Sequence, residues 1–94
     1  MRLTDSQIIV LKRALKRLSS TAKLYLFGSR VDDTKKGGDI DLLVISDELT
    51  KKDLRWLWIE FFKSFGEQKI DIILDDGSFQ HPFHKLILQK AIQI

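Results

Sequence analysis

The sequence predicts an α/β (α+β) architecture, a small mixed β-sheet flanked by helices. Three observations carry this. Short apolar runs with strand-like alternation occur at residues 22–27, 39–45 and 69–74. Longer stretches around them repeat apolar residues at helical spacing. The two kinds of element alternate along the chain, which suits a sheet covered by helices.

Thr4 or Asp5 caps a first helix that runs to Ser19 or Ser20. Ile8, Leu11, Leu15 and Leu18 make its buried stripe, while Lys12, Arg13, Lys16 and Arg17 fall in the later turns and read as a solvated face. Residues 22–27 form a strand with Leu24 and Leu26 on one side and Tyr25 and Phe27 on the other. Tyr25 is read as packing on the sheet. Gly28-Ser29 ends the strand, and Ser29 is placed to cap a short helical turn starting at Arg30. Residues 35–38 make a basic, Gly-rich, hairpin-like connection. The second strand, 39–45, finishes apolar on both faces, as an interior strand does.

Thr50, with Asp53 three residues on, caps a second helix that reaches Phe65 and stops at Gly66. On its wheel Leu54, Leu57, Trp58, Phe61, Phe62 and Phe65 share the face expected to be buried, with Trp56 and Ile59 opposite. A third strand at 69–74 leads into an Asp75-Asp76-Gly77 turn and a final helix over 78–90, with Pro82 in its first turn. Residues 91–94 continue that helix or form a short terminal strand. His81 and His84 lie near its start, and an exposed helix-start position accounts for them. With no cysteine or further histidine, they do not make a zinc site.

Ninety-four residues are expected to form a single domain over 1–94, with one modest core. The absence of cysteine excludes disulfides, thiolate metal sites and cysteine nucleophiles. No apolar run approaches the ~20 residues of a membrane span. Arg2 and Asp5 stand ahead of the first apolar run with no small-residue cleavage site, so the N-terminus reads as part of the fold. The expectation is a cytoplasmic protein with no membrane partner. A net charge of +3 and a pI near 9.3 suit phosphate-bearing ligands, but are too weak to indicate nucleic acid as the direct substrate.

The chemistry concentrates between Leu24 and Ile45. Asp39 and Asp41 are two apart on a strand, so their side chains leave the same face. Two adjacent, partly buried carboxylates repel and need a compensating cation. A hard divalent ion fits, and Mg²⁺ fits best when phosphates complete its coordination. Asp71, between Ile70 and Ile72, supplies a third carboxylate if its strand lies alongside. Three carboxylates on neighbouring strands can hold two metal ions and stabilise both oxygens of an in-line phosphoryl displacement. Gly28 lets a phosphate approach the backbone, and Ser29 with the amides after it makes an anion-binding corner. Arg30, Lys35 and Lys36 add positive charge nearby. This is not a Walker-type loop, because no Gly-Lys-Ser/Thr follows the first glycine.

Leu26-Phe27-Gly28-Ser29, followed after residues 30–38 by Asp39-Ile40-Asp41-Leu42-Leu43-Val44, resembles the signature of the DNA polymerase beta-type nucleotidyltransferase superfamily. The short length and wording are similar to its minimal nucleotidyltransferases, from Ala22 through the last helix. The resemblance implies a nucleotidyltransferase fold. It implies that Asp39 and Asp41 bind two Mg²⁺ ions, and that Asp71 binds the catalytic one and helps deprotonate an attacking hydroxyl. Gly28 and Ser29, with Arg30 beside them, would hold the β- and γ-phosphates of a nucleoside triphosphate. The implied reaction is transfer of AMP from ATP, with release of pyrophosphate.

Larger members of the superfamily carry an added helical domain for the acceptor, so here the acceptor surface is expected from another chain. Minimal members resemble antitoxins that work with a small all-helical HEPN-type protein, in some cases by adenylylating its tyrosine. The leading expectation is therefore an adenylyltransferase antitoxin of a two-component toxin–antitoxin pair. One alternative is a non-catalytic binding antitoxin or scaffold, with Trp56, Ile59, Leu88 and Ile92 at the interface. Another is transfer to a small molecule such as an aminoglycoside, with the pocket built between subunits of a homo-oligomer.

Overall fold

The computed structural model describes residues 3–28, 39–66 and 68–94. Helix α1 (Asp5–Leu18) starts at Thr4, whose hydroxyl accepts from the Gln7 amide at 3.1 Å while Gln7 Oε1 accepts from the Thr4 amide at 3.0 Å. This reciprocal pair satisfies two helix-start donors. Leu11, Ala14 and Leu15 are its buried residues. Ser19 ends it and is itself buried. The Ser19 hydroxyl accepts from the amides of Thr21 and Ala22 and donates to Glu48, tying the entry of the first strand to the loop after the second.

Strands β1 (Lys23–Phe27), β2 (Ile40–Ile45), β3 (Ile70–Asp75) and β4 (Ile92–Gln93) form one mixed sheet in the order β3-β2-β1-β4. β1 is antiparallel to both β2 and β4, and β2 runs parallel to β3. The parallel connection contains helix α2 (Lys51–Phe65), the helical crossover such a pair requires. Leu24, Leu26, Ile40, Leu42, Val44 and Ile70 form the main core with buried residues of α1 and α2. Leu43 is also fully buried but points to the opposite face, as strand alternation dictates. Helix α3 (Pro82–Lys90) packs on that second face, reaching Asp75 through His84 and touching β1. The interior position and apolar character of β2 are as the sequence predicts.

Helix α2 begins where Asp53 Oδ2 accepts from both the amide (2.8 Å) and hydroxyl (3.1 Å) of Thr50, and it ends at Gly66, whose φ of 72° favours glycine. Its apolar face differs from expectation. Leu54, Leu57 and Phe61 are buried, but Trp58 and Phe62 are 39% and 42% exposed and stack on each other with ring centroids 5.5 Å apart. Trp56, expected opposite the core, packs against it. The apolar arc is wider than the sheet can cover, and the core takes the edge carrying Leu54, Leu57 and Phe61.

The last helix also differs, starting at Pro82 rather than Ser78. Asp75 and Asp76 draw the amides after them into turns: Asp75 Oδ1 accepts from Gly77 and Phe79, and Asp76 Oδ1 from Ser78. Phe79, at φ 52°, cannot continue a right-handed helix. His81 precedes α3, and its Nδ1 accepts from the Phe83 amide at 3.2 Å. Residues 91–94 resolve as the strand alternative, supplying β4. Among the described residues no helix is long and apolar enough to cross a membrane.

Candidate active site

Ile40, Leu42 and Ile70 enter the core, so alternation turns Asp39, Asp41 and Asp71 to the other face. The parallel register sets Asp41 opposite Asp71, with Ile40 opposite Ile70 and Leu42 opposite Ile72. Neighbouring strands lie about 4.8 Å apart, so the carboxylates of β2 and β3 share one surface. On the other side of β2, Phe27 pairs with Asp41, and Gly28 follows. The C-terminal end of β1 and the N-terminal ends of β2 and β3 thus meet at one corner of the sheet.

Gly28 is held at φ 79°, where a side chain is strained. A Cβ there would lie 3.1 Å from Cγ of Asp41 and collide with its Oδ2. The glycine therefore serves both the turn and the close approach of backbone to carboxylate.

The electrostatics follow from this crowding. Burial pushes the Asp41 carboxyl above its ordinary value, and the neighbouring charges of Asp71 and Asp39 push it further. Lys69 acts in the opposite sense. Its Nζ stands 3.5 Å from Oδ2 of Asp39, on the exposed side of the corner. The sequence reading gave Lys69 no role. The available signal was its place two residues before Asp71, on the same side of the strand. Asp39 and Asp41 are half-buried, whereas Asp71 is exposed.

Three carboxylates make an oxygen-only donor set with surplus negative charge, and that chemistry fits a hard divalent ion such as Mg²⁺. In their present rotamers, no group of three His, Cys, Asp or Glu side chains among the described residues is gathered closely enough to hold an ion. Ser29 and Arg30, expected at the phosphates, lie outside the described residues, as do Lys35 and Lys36, the short turn and the Gly-rich connection. The histidines are not at this corner. His84 Nδ1 pairs with Asp75 Oδ2 at 2.7 Å, at the opposite end of β3, and its ring stacks on that of His81. Tyr25 is half-buried in the sheet, opposite Leu43 and Gln93.

No curated protein matches the chain. Residues 8–94 match the family model described as a nucleotidyltransferase domain, which leaves only residues 1–7 outside the match. Nucleotidyltransferases typically act on a nucleoside triphosphate with a divalent metal, and the α+β fold and acidic corner are consistent with that class. With nearly its whole length matched, the chain belongs to the nucleotidyltransferase domain family, whose reaction is nucleotidyl transfer.

Proposed function

We propose that the protein is a cytoplasmic, Mg²⁺-dependent adenylyltransferase that moves AMP from ATP to a hydroxyl acceptor, a tyrosine on a small HEPN-type toxin, and so acts as the antitoxin of that pair. The observation that carries the nucleotidyl-transfer part of this reading is the register of Asp41 opposite Asp71, with Gly28 packed on Asp41; the toxin partner rests on the resemblance to minimal nucleotidyltransferases. Like charges are costly at such a corner unless a cation occupies it, and a cation held there can in turn receive a phosphate-bearing ligand.

Asp39, Asp41 and Asp71 are the residues that would hold two Mg²⁺ ions, which when bound supply the charge that offsets the phosphates and the transition state. Gly28 gives the phosphates access to the backbone, and Ser29 and Arg30, the next two residues in the sequence, are assigned to the same phosphates. Asp71, the exposed carboxylate, takes the proton from the acceptor hydroxyl. The acceptor oxygen then forms a bond to the α-phosphorus, the bond from that phosphorus to the β-phosphate oxygen breaks, and pyrophosphate leaves.

The test is incubation of the purified protein with Mg²⁺ and α-labelled ATP, with and without the HEPN-type protein. Label on the partner, lost in Asp39→Ala and Asp41→Ala, is the expected outcome. A second reading, neutralisation by contact alone, is favoured by the exposed Trp58–Phe62 stack on α2. Stable partner binding without any label transfer would select it.

A further inference from the structure

We infer that the acceptor is an extended polypeptide segment that adds as a new strand to the open edge of β3 and so presents its hydroxyl side chain to Asp71. This rests on the nucleotidyl-transfer reading above and names the shape of its substrate.

The backbone supplies the first argument. Among the described residues β3 pairs with β2 alone and forms one edge of the sheet. The Lys69 and Asp75 carbonyls accept from Ile40 and Ser46 on the β2 side, each at 2.9 Å. By the alternation of a parallel ladder, the amides and carbonyls of Ile70, Ile72 and Leu74 point away from β2, along the open edge. A row of such groups is a template for another strand.

The second argument is the space beside that row. A cavity of about 600 Å³ runs along β3, walled by Leu54 and Trp58 of α2 on one side and by His81 and His84 on the other. Among the described residues the edge is flanked by helices but not covered by one. Lys51 and Arg55 add positive charge on the α2 wall.

The third is the position of Asp71 on this edge, exposed and turned toward the face that carries Asp39 and Asp41. A residue opposite Asp71 in an added strand would point to the same face, its Cβ about 5 Å away, within reach for a hydroxyl side chain. Its two neighbours would point to the α2 wall and meet Leu54, Trp58 and Ile72. The fitting segment therefore has apolar residues on either side of the hydroxyl residue, and an acidic residue further along to meet Lys51 or Arg55. A second copy of β3 fits less well. It would bring Asp71 and Asp75 of the other copy to an edge that already carries these carboxylates, and like charges across strands destabilise.

The reaction at this edge is the one written above. The segment's hydroxyl gives its proton to Asp71, its oxygen bonds to the α-phosphorus of ATP, and pyrophosphate departs.

The test uses the full chain, Mg²⁺, α-labelled ATP and synthetic peptides of about nine residues, a comfortable strand length. Each has a central tyrosine, valines beside it and a glutamate beyond. Two variants carry backbone N-methyl groups at alternate positions, one on each parity. Strand addition uses the amides of one parity only, so one variant loses label transfer at least about tenfold and the other retains it. Amide exchange gives an independent readout: Ile72 and Leu74 gain protection on adding the unmethylated peptide, while Asp71 and Ile73 are protected throughout. Equal labelling of both N-methyl variants, or of free tyrosine at the peptide's rate, overturns the inference and leaves nucleotidyl transfer intact. So does concentration-dependent protection of Ile72 and Leu74 without peptide, which assigns the edge to a second copy. Binding of Mg²⁺-ATP with label on no peptide also overturns it. Failure to bind Mg²⁺-ATP at all overturns the underlying reading together with the inference.

Discussion

Gly28 and Asp41 are in contact across β1 and β2, and the contact leaves no room for a methyl group. The Cβ position at Gly28 falls 3.1 Å from Cγ of Asp41 and closer still to Oδ2. The glycine's φ of 79° sends the chain out of β1 at this point, so turn and carboxylate are coupled through one backbone position.

Gly28→Ala is therefore expected to harm activity more than stability. The strained torsion alone costs about 1–2 kcal/mol. The methyl group also displaces Asp41, and a shift of about 1 Å in a reacting group can lower a rate roughly 100-fold. Urea midpoints beside rates of label transfer from ATP measure the two effects. An alanine variant with full transfer would show that the Asp41 rotamer is not needed for the reaction.

Gly66 is the control. Its φ is similarly positive, 72° with ψ −152°, but a Cβ there meets nothing within 4 Å. Gly66→Ala is expected to cost about 1–3 kcal/mol through backbone strain and to leave ATP binding and transfer unchanged. Comparing the two alanine variants separates torsional strain from steric displacement.

The Asp75–His84 pair predicts an acid-sensitive lock at the other end of β3. Burial pushes the Asp75 carboxyl up, but the hydrogen bond from His84 and those from the Gly77 and Phe79 amides outweigh it, and the net direction is below the ordinary value. A carboxyl lowered on folding contributes stability above its unfolded pKa, and that stability is lost as pH falls through the folded value. His84→Ala removes one donor and is expected to cost about 1–3 kcal/mol near neutral pH. It should also move the acid-unfolding midpoint to higher pH, while Mg²⁺-ATP affinity stays unchanged. Circular dichroism along a pH titration, with calorimetric ATP binding, checks both.

The distribution of what was legible in the sequence has physical causes. Strand alternation alone put Asp39, Asp41 and Asp71 opposite the apolar residues of their strands, because a period of two leaves a side chain only two directions. That β3 lies beside β2 in this register depends on long-range pairing, which local pattern does not encode. On α2, six apolar residues span more of the helix than one sheet face can bury, so the wheel could not tell that Trp58 and Phe62 would be left outside. The start of α3 was masked by competition. Asp75 and Asp76 capture amides that a helix from Ser78 would have used, a contest between side chain and backbone acceptors that periodicity does not reveal. The Asp75–His84 pair joins residues from separate elements, and nothing in their spacing announces it.

Asp41→Asn offers the sharpest test of the acidic corner, because it is expected to improve stability while abolishing transfer. The Asp41 carboxyl is raised by burial and by Asp71 and Asp39, so the metal-free folded state binds its proton more tightly than the unfolded chain does. The sign follows: stability falls as pH rises from the unfolded pKa through the folded one, and stays lower above it. Asparagine removes both the charge and this pH dependence. Because the corner is partly solvated, screening limits the gain to roughly 0.2–1 kcal/mol at neutral pH. In the wild type, adding Mg²⁺ with ATP is expected to raise the melting temperature by binding the folded state. The asparagine variant, lacking one of the carboxylates, should show a weaker rise and no label transfer. Urea denaturation in chelator from acidic to neutral pH, and thermal melts with and without Mg²⁺-ATP, measure each part. A variant less stable than wild type in chelator at neutral pH would mean that Asp41 is a net structural asset rather than a strained carboxylate held for chemistry.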